Sequence, residues 1–348
     1  MMIHFDIVRE GSLFSARADG GPKFAVGKQV SFHENRGLAN DNSPLARQFN
    51  YAAADFVQTI GFFAQFIEPT AMCEGRSFIT LNTYDRAKFT FGFTQFAAHV
   101  PNGDFVTWFR AMLGQPEAGD YFPDLAVENG HIVKLGMHGS EPLETSQSTA
   151  GLMDYLNPSL GGVDDDEVIA AAKFIHWTMN HPGSRELQVR QMVTTAHALL
   201  AQADTRIGLD GVSGDLCCIV MDIRHQGRGT FADMQRALRA TDPFNALLGI
   251  GASPFPERVR MLRNALRPLR EDFARKHWSR AQKDLVCAPG DTSPERTPHR
   301  GSANAAVMSA PAESGIRAFG KGSDHEPERS FVPVSDGAAK CPTTPQAC

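Results

Sequence analysis

Seven apolar positions, Ala53, Phe56, Val57, Ile60, Phe63, Ala64 and Ile67, recur at the spacing of one helical face. Such a face has to be covered by other elements, so it fixes where a core must lie. Ser43-Pro44 precedes it as a helix start, a capping hydroxyl followed by proline in the first turn. Pro69 interrupts the run, and a further helical turn carries Met72 and Glu74. The character then changes: a polar turn region leads to a second acid, Asp85, and to a short run through Thr90 that ends in Gly92-Phe93-Thr94-Gln95-Phe96.

Around this stretch the chain divides into three. Residues 1–44 are rich in Gly, Asn and Ser and read as an N-terminal extension with two short strands, one at Phe24-Ala25-Val26 and one at Val30-Ser31-Phe32. Residues 45–280 carry the apolar patterning of a single domain. Helices are expected around Phe105, Trp108, Phe109 and Met112, from Val168 to Met179, from Leu187 to Ala203, from Phe231 to Ala240 and, as one long basic helix, from Glu257 to Trp278. Asp215 to Ile223 is apolar enough to be a central buried element. From 281 to 348 Pro, Ser, Gly, Thr and charged residues dominate, a composition that buries too little apolar area to offset ordering entropy, so a disordered tail is expected.

Several function classes recede. A net charge of -5 gives no nucleic-acid footprint. No apolar run approaches the length of a membrane span, and Met1 to Glu10 lacks the basic and apolar regions of a signal peptide. The six cysteines show no C-x-x-C spacing, and adjacent Cys217 and Cys218 read as buried thiols. Asp164-Asp165-Asp166-Glu167 resembles a metal cluster, but acids ahead of a helix meet its dipole, and consecutive side chains diverge. There is no phosphate loop, no H-E-x-x-H and no G-x-S-x-G elbow. Neither a metal nor a cofactor is expected.

Two carboxylates flanking a turn suit cleavage of a glycosidic bond, one to protonate the leaving oxygen and one to activate water or stabilise positive charge. Glu74, the polar hairpin, Asp85 and the run Thr90 to Phe96 resemble the active-site region of the lysozyme superfamily. A Glu ends a helix in phage-type lysozymes, and an Asp and a Thr follow across a β-hairpin. In chitosanases a similar Asp is followed five residues later by Thr and two further on by Gly, as with Asp85, Thr90 and Gly92. Gly92-Phe93-Thr94-Gln95 looks like the Gly-Leu-Met-Gln signature of lytic transglycosylases. Met221 to Gly227 resembles, with altered order, an Asp-x-x-Val-Gln-His-Gly helix motif of chitosanase-like members.

The resemblance implies an α+β, mainly helical, lysozyme-like fold with a small β-hairpin region beside the cleft. It implies a glycosidase acting on a β-1,4-linked amino-sugar polymer, first peptidoglycan, with chitosanase and transglycosylase as alternatives. Glu74 would be the general acid, its pKa raised by apolar surroundings. Asp85 would be the base or charge stabiliser, Thr90 would place the water, and Tyr84 and Gln95 would contact the sugar. Each has a plainer reading: Glu74 as a solvated helix-end acid, Asp85 as a turn former, Thr90 as a sheet residue, Gln95 as a structural hydrogen-bonding group. Asp222 and His225 read as groups satisfying buried backbone or helix ends. A non-catalytic wall-binding module is the alternative of a different class. The expected partner is polysaccharide, with neither nucleic acid nor stable membrane insertion. A wall hydrolase made in the cytoplasm without a signal peptide would need release through a pore, a dedicated export machine, or lysis.

Overall fold

The computed structural model describes residues 2–41 and 43–287. The chain opens as an antiparallel meander of β1 (Phe5–Glu10), β2 (Leu13–Ala18), β3 (Phe24–Phe32) and β4 (Asn35–Ala39). Side chains alternate across a strand, and in β2 this buries Phe14 and Ala16 while Leu13 and Arg17 face out. Helices α1 (Pro44–Gln48), α2 (Val57–Ile60), α3 (Phe62–Phe66) and α4 (Glu68–Cys73) follow, with a 3-10 turn at Ala53–Asp55. Short strands β5 (Leu81–Asn82), β6 (Thr90–Phe91) and β7 (Phe96–Ala97) then extend the meander into one seven-stranded sheet in sequence order.

Helices α5 (Asp104–Leu113) and α6 (Ala118–Tyr121) lead to a three-stranded sheet of β8 (Leu125–Glu128), β9 (His131–Gly136) and β10 (Gly139–Pro142). The remainder is helical: α7 (Ala150–Leu156), α8 (Asp165–Asn180), α9 (Pro182–Ile207), α10 (Gly214–Gln226), α11 (Phe231–Leu238), α12 (Pro243–Gly249), α13 (Pro256–Leu266) and α14 (Arg270–Ala274). The hairpin of β11 (Lys276–Ser279) and β12 (Asp284–Cys287) closes the described chain.

A mainly helical, lysozyme-like fold with a small β-hairpin is therefore overturned. A seven-stranded antiparallel sheet and two smaller sheets stand beside the helices, which makes an α+β fold of a different balance. Four strands of the large sheet come from residues 5–39, with Gly11, Asp19 and Gly20 at positive φ in the turns between strands. The two short strands expected at 24–26 and 30–32 are parts of the single strand β3. The expected tail lies, from residue 288 on, outside the described residues.

Two expected helices are broken for local reasons. The apolar face from Ala53 to Ile67 is inward or half-buried as its spacing requires, but Gly61, at φ 75 and ψ -154, separates α2 from α3. Pro69 stands in the first turn of α4, where no amide hydrogen is needed, so it opens the last of these helices rather than breaking one. Pro268 has no amide hydrogen with which to continue the helical ladder, and the long basic helix divides there into α13 and α14. Among the described residues no helix is long and apolar enough to cross a membrane.

Phe174 of α8 is at the centre of an aromatic cluster. Its ring centroid lies 4.9 to 5.8 Å from those of Phe89, Phe91, Phe105, Trp108, Phe109 and Phe122. These rings join the sheet to α5 and α8, and their burial contributes to holding the two layers together. Phe174→Ala should lower stability by about 3–5 kcal/mol in denaturant unfolding, because the surrounding rings cannot collapse into the void. A loss below about 1 kcal/mol would show that the cluster does not carry that weight.

Candidate active site

Glu74 follows α4 directly, its amide hydrogen bonded to the Ala71 carbonyl. Its side chain is 16% exposed. Arg258 Nη1, from α13, donates to Glu74 Oε1 at 2.6 Å, and His225 Nδ1, near the end of α10, lies 3.7 Å from the same oxygen. The imidazole separation is an ion-pair distance rather than a hydrogen bond.

The same guanidinium is held from behind by Asp222, whose side chain is fully buried. Arg258 Nη2 donates to Asp222 Oδ1 at 2.8 Å and Nε to Oδ2 at 3.4 Å. Arg228 Nη2 donates to Asp222 Oδ2 at 3.0 Å, and the Thr70 hydroxyl of α4 donates to Oδ1 at 3.1 Å. Two carboxylates and two guanidiniums thus balance in charge inside a joint between α4, α10 and α13.

Burial alone would raise the Asp222 pKa, but Arg258 and Arg228 outweigh it and hold the carboxyl down at about 2. Burial would likewise raise Glu74; Arg258 and His225 overcome it, and the carboxyl lies below its ordinary value. This departs from the expectation of a raised acid. The apolar neighbours are present, but a cation contributed from 184 residues away reverses their effect.

The other expected site residues fall as follows. Gln95 Nε2 donates to the Glu74 main-chain carbonyl at 2.8 Å, so it positions the helix end carrying the acid. The loop holding Gln95 is pinned by Gln188 of α9, which accepts from the Phe93 amide at 3.2 Å and donates to the Phe78 carbonyl at 3.1 Å. Gly92 is required there: at φ 94, a Cβ would stand 2.5 Å from Gln188 Oε1. Thr94, beside it, is buried with its hydroxyl unpartnered among the described residues.

Asp85 is engaged by its own turn: Oδ1 accepts from the Ala87 amide at 2.8 Å and Oδ2 from Asn82 Nδ2 at 3.2 Å. No hydrogen bond or ion pair joins it to Glu74 among the described residues. Thr90 is buried in β6 opposite Asn82 and Ala97, and half-buried Tyr84 has its ring 6.1 Å from that of Phe32. The structure therefore brings Glu74 and Gln95 together and sets Asp85, Tyr84 and Thr90 in the adjoining turn and strand.

Arg258, Arg228 and Glu167 are the groups whose role the sequence did not disclose. Glu167 looks inward from the first turn of α8, while Asp164 caps that helix by accepting from the Glu167 amide at 2.8 Å. The Glu167 carboxylate accepts from the Thr83 hydroxyl beside Tyr84, and burial pushes its carboxyl up to about 7. Arg258 had one sequence signal, the single arginine of its helix at the same helical phase as Leu262 and Ala265. Among the described residues no cluster of His, Cys, Asp or Glu is placed to hold a metal.

Asp222→Asn would leave two buried guanidiniums short of a counter-charge and should cost about 3–5 kcal/mol at neutral pH. The Asp222 and Glu74 carboxyls both lie below their ordinary values, so the stability they add is complete above about pH 4.5 and is lost as the pH falls towards 2. Urea unfolding at pH 7 and pH 3 should show the variant's deficit shrinking with acid, and a deficit independent of pH would exclude this origin.

In comparisons with known proteins, no family model, no curated protein and no solved structure matches the chain.

Proposed function

We propose that the protein cleaves β-1,4 glycosidic bonds in an amino-sugar polymer, peptidoglycan first, with Glu74 as its indispensable carboxylate. The observation that supports this is a glutamate at a helix end whose side chain is partly exposed and whose carboxylate is held from one oxygen by a guanidinium with a second, fully buried partner. The substrate class rests on the resemblance of Glu74, Asp85 and residues 90–96 to lysozyme-superfamily active sites.

In the free protein Glu74 is ionised, and general acid catalysis needs it protonated. Arg258 can remain on Asp222 through two contacts while its bond to Glu74 loosens. A sugar covering the exposed part of this side chain buries it further, and burial is the influence that raises its pKa. Substrate binding thereby favours the protonated form that donates to the leaving oxygen. Asp85, its orientation fixed by its turn, would act as the base for water in the hydrolase route.

The bonds that tie both Asp85 oxygens into that turn also favour a second route, in which Glu74 works alone and a hydroxyl of the sugar replaces water. Product masses from purified peptidoglycan separate the two: products from the second are lighter by one water, and Asp85→Asn retains activity. The low pKa of Glu74 favours a third reading, a module that binds walls without turnover. On the proposed function, wild type clears a peptidoglycan suspension, and folded Glu74→Gln is slower by at least about 100-fold. Equal clearing by the two proteins would remove Glu74 from the chemistry, and wall binding without clearing by either would establish the binding module.

A further inference from the structure

Glu167 is fully buried in the first turn of α8, and it forms no ion pair among the described residues. The cations on the surrounding elements are engaged elsewhere or exposed. Arg9 of β1 is taken by Asp165 at 3.0 Å, Lys88 by Asp154, and Lys173 lies over the Phe122 ring. Lys28 of β3 and Arg36 of β4 are exposed. The remaining titratable groups of these elements, Asp164 and Asp166 at the start of α8 and Asp41, Tyr84 and Asp85 by the turn, carry negative charge or none. A carboxylate so placed is costly to ionise.

Glu167 Oε1 meets the Thr83 hydroxyl, while Oε2 has no hydrogen-bond partner among the described residues. That hydroxyl is also where β4 meets the turn. Leu38 donates its amide hydrogen to Thr83 Oγ1 at 2.5 Å, and the Leu38 carbonyl lies 3.4 Å from the same oxygen. Gly37 packs so close that a Cβ there would stand 2.6 Å from Thr83 Oγ1, which leaves water no room on that side. Protonated Glu167 satisfies the hydroxyl completely: the acid donates to Thr83 Oγ1, and Thr83 turns its own hydrogen to the Leu38 carbonyl. Ionised Glu167 draws the Thr83 hydrogen to one oxygen and keeps the other as a buried, charged acceptor without a donor.

We propose that Glu167 is a proton-operated joint: with its proton it seats the Thr83 to Lys88 turn on α8, and loss of the proton loosens that turn at Thr83. The turn stays clipped through Asn157, which follows α7 and donates to the Thr83 and Lys88 carbonyls at 2.9 Å each, so the change is a loosening rather than an unfolding. Burial places the Glu167 carboxyl at about 7 against an ordinary 4.5. The stability it adds is therefore complete below about pH 4.5 and is lost as the pH rises to about 7, the opposite sense to Asp222 and Glu74. The turn carries Tyr84 and Asp85, so on the glycosidase reading above this proton acts on two residues set to meet the sugar.

Hydrogen exchange of the full-length protein at about pH 5.5 and about pH 8.5, corrected for the intrinsic effect of pH, reads the joint directly. In wild type the Leu38 and Thr83 amides should exchange at least about tenfold faster at the higher pH. In Glu167→Gln they should not change, because the amide keeps a donor and has no proton to lose. No acceleration in wild type, or the same acceleration in the folded variant, would overturn the proposal. So would exchange of Leu38 and Thr83 only in step with the core amides of α9, since the proton would then act on the whole fold. If the variant does not fold, carbon NMR of wild type takes its place: Glu167 should titrate where the exchange accelerates, and titration at the ordinary glutamate value would overturn the joint. No step needs a substrate, so failure of the glycosidase reading leaves the result intact.

Discussion

Asp222 is the residue on which the arrangement of the candidate site depends. It is fully buried, it is charged, and it accepts from both Arg258 and Arg228. A lone carboxylate in that position would be too costly to ionise, and either guanidinium alone would be equally costly to bury. Together they form a balanced joint where α4, α10 and α13 meet. Glu74 is attached to this joint through one oxygen, which is why a group at the end of a six-residue helix has a fixed orientation.

The joint also governs the chemistry open to Glu74. Apolar surroundings and a cation act on it in opposite directions, and in the free protein the cation prevails. Covering this carboxylate or withdrawing Arg258 would each move its pKa upward, towards the protonated form. Gln95 and the Gly92 loop, fixed by Gln188, keep the backbone under Glu74 in place while that balance shifts.

The sequence discloses local matters more readily than distant ones. Glu74 at a helix end, the capping role of Asp164, α5 from its spaced aromatics and the burial of Cys217 to Ile223 all follow from patterns within a few residues. The large sheet is hidden because β5, β6 and β7 are two residues each, too short to alternate visibly, and because the turn-rich composition of residues 5–39 reads as an extension with only two short strands. The pairing of Glu74 with Arg258 is hidden for a different reason. It joins positions 184 residues apart, and on α13 one arginine turned inward is indistinguishable in composition from those turned outward.

The protonation state of Glu74, with and without sugar, tests the account most directly. Carboxyl-carbon NMR titration of the free protein should place Glu74 below the ordinary glutamate value, and saturation with a short β-1,4 amino-sugar oligomer should raise it. A Glu74 titration unchanged by a bound oligomer, or one already above the ordinary value in the free protein, would contradict the claim that Arg258 holds this carboxylate ready and that substrate releases it.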